Sequence, residues 1–136
     1  MILPNYQVSS PLRICHYVTK KGEQRWFTLN LNTYRNTQAF VLNKVKQLYT
    51  DIMLKEIEPL PVFNRVRLTY TVYTGSSHKS DVMNWTSVVD KFFQDTMVKA
   101  GKLTDDNYQY VPEVISKFGG IDKINPRVEI LIEPVN

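Results

Sequence analysis

Asn64-Arg65-Val66-Arg67-Leu68-Thr69-Tyr70-Thr71-Val72-Tyr73-Thr74 alternates between two kinds of side chain. Val66, Leu68, Tyr70 and Val72 fall on one side; Arg65, Arg67, Thr69, Thr71 and Tyr73 fall on the other. Successive side chains of an extended backbone point to opposite faces, so the stretch predicts a strand with one buried face. The period then changes. A polar loop, Gly75-Ser76-Ser77-His78-Lys79-Ser80, leads into a helix expected to start near Asp81 to Asn84 and to run to Ala100. Trp85, Val88, Val89, Phe92, Phe93, Thr96, Met97 and Ala100 recur at helical steps and form one buried stripe. Gly101 stands where a C-cap glycine is expected.

Upstream, residues 12–19 and 24–31 read as two strands joined by the turn Lys20-Lys21-Gly22-Glu23. Asn30 to Asn36 is polar and reads as irregular, carrying Tyr34 and Arg35. From Thr37 to Glu56, Phe40, Val41, Val45, Leu48, Tyr49, Ile52 and Met53 give the stripe of an amphipathic helix, ended by Glu58-Pro59-Leu60-Pro61. Downstream, Asn107 to Lys117 reads as an edge strand broken by Pro112. After Gly119-Gly120, Arg127 to Glu133 alternates Val128, Ile130 and Ile132 as a last strand. The order β-β-α-β-α-β-β predicts one α+β domain over residues 1–136, with a small, mostly antiparallel mixed sheet and both helices on one face.

Composition bounds the function. With 43% hydrophobic and 22% charged residues, 136 residues can bury a core. No apolar run is long enough to span a bilayer, and no membrane partner is expected. Met1-Ile2-Leu3-Pro4-Asn5 has neither the charged start nor the apolar stretch of a secretory signal. The single cysteine, Cys15, excludes an internal disulfide and reads as a core thiol of a protein in a reducing, cytoplasmic compartment.

The net charge is +4, yet Asp81, Asp90, Asp95, Asp105 and Asp106 place five of the 13 acids within one short segment. Cations that hold phosphates and carboxylates that hold a metal are what a metal-dependent nuclease needs. A solvated helix and its exit loop produce the same pattern. Asp81, Asp105 and Asp106 are therefore either metal ligands or a helix cap followed by an exposed turn.

Asp81-Val82-Met83-Asn84, followed by a helix ending Lys99-Ala100-Gly101-Lys102-Leu103-Thr104-Asp105-Asp106, resembles the RusA-like Holliday junction resolvase family, common in phages and prophages. That family carries an Asp-x-Asp-Asn motif at a helix start and an Asp-Asp pair after a Lys-Ala-Gly-type helix end. The likeness covers roughly residues 64–133. It implies a homodimeric, Mg²⁺-dependent endonuclease (with Mn²⁺ as the alternative metal) that cuts four-way DNA junctions during recombination and repair. Carried over, Asp81 and Asp106 match the catalytic and metal-binding cluster, with Asp105 beside them. Met83 stands where the family has its second Asp, and Ser87 where it has a lysine. Asn84, Asp105, Asp90 and His78 are the groups that could complete the metal site. The alternative is a RusA-like protein without cleavage that binds branched DNA or a protein partner.

Lys20, Lys21, Arg25, Arg35, Arg65, Arg67 and Lys79 are candidate DNA contacts, and Arg127 a further phosphate contact, against a reading as ordinary surface charge. Tyr34 could stack on an unpaired base. His78 is a general base or a solvated loop residue. A helix from Asn84 to Ala100 spans about 25 Å, whereas the tether from Gly101 to Asp106 reaches back at most about 18 Å. Asp106 is thus expected to meet Asp81 of a partner chain, which makes a composite, two-fold site.

Overall fold

The computed structural model of the protein describes residues 3–136; Met1 and Ile2, the start of the stretch read for a secretory signal, lie outside them. Nine elements follow one another: β1 (Tyr6–Pro11), β2 (Arg13–Val18), β3 (Gln24–Thr28), α1 (Leu31–Arg35), α2 (Ala39–Ile57), β4 (Val66–Thr74), α3 (Val82–Lys99), β5 (Glu113–Ile121) and β6 (Arg127–Pro134). The expected α+β class holds. The main sheet is mixed, in the order β1-β6-β4-β5, and β2-β3 forms a separate hairpin. Only the β4–β5 pair is parallel, joined by α3 as its crossover helix.

β4 is buried as its alternation predicts: Val66, Leu68, Tyr70 and Val72 are fully enclosed. β6 adds Val128, Ile130 and Ile132, and β1 adds Val8, so one sheet face carries the core. Both long helices cover that face. α3 contributes Val88, Val89, Phe92, Phe93 and Met97, and α2 contributes Val45, Tyr49, Met53 and Ile57. Phe92 stacks against Phe27 of the hairpin and meets Tyr49 edge-on, so the helices and the hairpin share one core. Gly101 takes φ +74 just past α3, with Lys102 N–H donating to the Met97 carbonyl in a Schellman-type end.

Several expectations are corrected. β1 was not foreseen; its apolar content is low, and it exists because it pairs with β6 at the far end of the chain. The segment read as irregular folds as α1, where the Asn30 side chain accepts from the Thr33 N–H as an N-cap. The second hairpin strand stops at Thr28, because α1 begins at Leu31. β5 starts only at Glu113, past Pro112, which cannot donate to the ladder. Phe40 and Ile52 lie on the solvent side of α2, at 82% and 47% exposure. Cys15 is half-buried rather than core.

Candidate functional site

Asp81 occupies the N-cap position of α3, with extended φ and ψ of −66° and 137°, but its side chain makes no capping hydrogen bond. The cap reading therefore does not use the carboxylate, which stays exposed and free. Asn84, one turn on, donates its amide to Ser80 Oγ at 3.0 Å, which leaves the amide oxygen without a partner among the described residues. Met83 lies between them at 63% exposure. Ser80, Asp81, Met83 and Asn84 line a cleft of about 380 Å³ whose opposite wall is α1, through Leu31, Asn32 and Arg35. The structure thus joins two residue sets that the sequence left apart, the acidic helix start and Arg35. Asn30 at the start of that wall was the available signal.

Asp105 and Asp106 lie beyond the other end of α3. Asp105 is spent on its own turn: one oxygen accepts from the Asp106 N–H at 2.7 Å, the other from the Asn107 amide at 3.2 Å. Asp106 is exposed, and its field reaches Asp90 in the middle of α3. Asp90 does not line the Asp81 cleft. It accepts from the Tyr70 hydroxyl at 2.5 Å and from the Gln94 amide at 2.6 Å. Burial raises the Asp90 carboxyl above its ordinary value; those two donors pull it back, and Asp106 pushes it up again. The Gln94 amide oxygen is shielded and has no partner among the described residues.

Among the described residues, no group of three or more His, Cys, Asp and Glu side chains gathers where a metal ion could be held. The fit of Mg²⁺ to the Asp81 cleft is accordingly partial within one chain. The Asp81 carboxylate and the Asn84 amide oxygen are hard donors of the right chemistry, and the Met83 thioether is not.

The expected DNA contacts divide into committed and free. Arg67 is held by Glu133 at 2.9 Å and Glu113 at 3.8 Å, on the open face of the sheet. Arg65 donates to the carbonyls of Gln109 and Asn136. Arg127 is paired with Asp122 and Glu129, and Arg25 with Glu23. Tyr34 packs edge-on against Phe92, so it anchors α1 rather than waiting for a base. By contrast Lys20, Lys21 and Arg35 are exposed and make no ion pair among the described residues. His78 and Lys79 line a separate hollow of about 300 Å³, walled by Val72, Val82, Trp85, Phe118 and Ile121, where β4 and β5 end. Trp85, expected in the core, is a half-buried wall of that hollow, its indole N–H shielded and without a partner among the described residues.

No known family model and no curated protein matches this chain.

Proposed function

We propose that the chain is a divalent-metal-dependent endonuclease of the RusA-like Holliday junction resolvase type, cutting branched DNA as a homodimer. The observation that carries the reading is the cleft that sets an unpaired carboxylate, Asp81, and a free amide oxygen, Asn84, beside an unpaired cation, Arg35. That is the arrangement for holding a metal and the phosphate it acts on in one place. When bound, the metal supplies Lewis-acid activation of the phosphodiester and lowers the pKa of a water. Asp81 and the Asn84 amide oxygen would hold that metal, while Arg35 would fix a phosphate oxygen. Asp106 of the partner subunit provides the remaining carboxylate.

The topology favours such sharing. α3 runs antiparallel to β4 and β5, so Asp81 sits where those strands end and Asp106 where they begin. β5 is a sheet edge and exposes Val114, Phe118 and Ile121. Pairing that edge antiparallel with its copy across a two-fold axis exchanges the two ends. Each Asp106 is then carried toward the other subunit's Asp81.

The test is incubation with a labelled four-way junction in Mg²⁺ or Mn²⁺. Asp81→Asn and Asp106→Asn should abolish cutting and retain junction binding, since both side chains are exposed and the change removes charge that repels phosphate. If both variants cut as fast as the wild type, the assignment is wrong. A second reading rests on Met83, whose thioether stands exposed in the cleft at the place of a family carboxylate. On that reading the dimer binds junctions without cutting them, and neither metal elicits cleavage.

A further inference from the structure

The β2–β3 hairpin is not hydrogen-bonded to the main sheet. Its base is anchored in the core by Leu12, Ile14, Phe27 and Leu29, all buried. Beyond that base it stands in solvent, with Tyr17 at 52%, Val18 at 56% and Trp26 at 39% exposure. Its charge is lopsided. Arg13, Lys20, Lys21 and Arg25 are set against Glu23 alone, which places three of the chain's four net positive charges on this one projection.

Trp26 pairs with Cys15 and Tyr17 with Arg25, with a register shift at His16 between the two pairs. The hairpin carries one exposed aromatic ring on each strand, Tyr17 on β2 and Trp26 on β3. The Arg13 guanidinium lies 4.0 Å from the Trp26 ring, a cation over an indole that extends the flat surface outward. The tip, Thr19 to Glu23, is wholly polar, turned by Gly22 at φ +85.

We propose that this hairpin is a wedge for branched DNA: Lys20 and Lys21 grip phosphates at its tip, while Tyr17 and Trp26 stack on the unpaired bases behind them. The inference rests on the branched-DNA reading above and adds residues that the acidic site does not contain. Aromatic rings and guanidinium planes accept any base by stacking, and the cations supply the sequence-independent attraction. An anionic membrane surface is the rival partner for a basic, aromatic hairpin. It is disfavoured because the rings sit behind a polar tip, the reverse of what insertion into lipid requires.

The experiment compares binding of a synthetic four-way junction, a linear duplex of equal length, and phosphatidylglycerol vesicles. Trp26→Ala and Tyr17→Ala are each expected to weaken junction binding by roughly 5- to 100-fold, with little change for the duplex. Lys20→Ala with Lys21→Ala should weaken both DNAs and lower the salt slope by about 2. Trp26→Phe should keep most of the junction affinity. The quenching of tryptophan emission by the junction should be present in the wild type and absent from that variant, a signal that loss of folding does not mimic. Equal junction affinity in both alanine variants, or equal losses on junction and duplex, would overturn the wedge. So would vesicle binding that the two alanine variants abolish. A wild type that binds and cuts junctions while both variants match it refutes the wedge alone. One that binds no junction refutes the parent reading as well.

Discussion

Met83 and Asp90 show how differently two side chains of one helix are constrained. Met83 projects into the cleft at 63% exposure, so replacing it costs little in packing. Met83→Asp places a hard oxygen donor between Asp81 and Asn84, on the same cleft wall. Junction cleavage by this variant should rise at least several-fold, or appear where the wild type has none; a folded variant that cuts no better would show the donor set already complete. Asp90 is the opposite case, half-buried with the Tyr70 hydroxyl and the Gln94 amide committed to it. Asp90→Ala strands both donors and should cost about 1–3 kcal/mol in urea unfolding. Its pH signature has a defined sign. A carboxyl raised by burial binds its proton more tightly folded than unfolded, so its contribution favours the fold at low pH. That contribution is lost as pH climbs from the ordinary Asp value through the raised one. Asp90→Asn should flatten this part of the stability profile; an unchanged slope would remove Asp90 as its source.

At the scale of elements, legibility followed burial. β4 and α3 were readable because each presents a continuous buried face at its own period, from Val66 to Val72 and from Val88 to Met97. α1 has no buried residue, so no apolar stripe announced it; its Asn30 cap was the only local mark. β1 draws its order from pairing with β6, a partner no window of neighbouring residues contains. Within the candidate site, Asp81 stands out in the sequence by its place at a helix start, but its meeting with Arg35 depends on how α1 docks, which is tertiary. β5 offers a sharper test of local packing. A Cβ on Gly119 would fall 2.6 Å from Tyr73 Cζ and 2.7 Å from Thr71 Cγ2, beside the register shift in the β4–β5 ladder. Gly119→Ala should therefore destabilise by about 1–3 kcal/mol, read as a lower denaturation midpoint. A neutral result would mean that Tyr73 swings clear and that this edge is softer than its spacing implies.

For the molecule as a whole, Asp81 stands at the start of α3 and Asp106 follows its end, so the shared-site proposal makes oligomeric state a testable requirement for activity. Mixing Asp81→Asn with Asp106→Asn subunits should restore one intact site per heterodimer, which nicks one strand while each parent homodimer stays inert. Inactivity of a verified heterodimer would place each site within a single chain. The sheet order has a different consequence, one for synthesis. β6 lies between β1 and β4, so one of the first strands made and the central strand both wait for one of the last. At roughly 5–20 residues per second, the ribosome holds β1 and β4 without their shared neighbour for several seconds. During that interval the apolar row of β4 has the helices and β5 to cover it but lacks β6 beside it. The nascent chain is therefore expected to bind holdase chaperones more strongly before Arg127–Pro134 is free to pair than after, which ribosome-bound chains of increasing length would show.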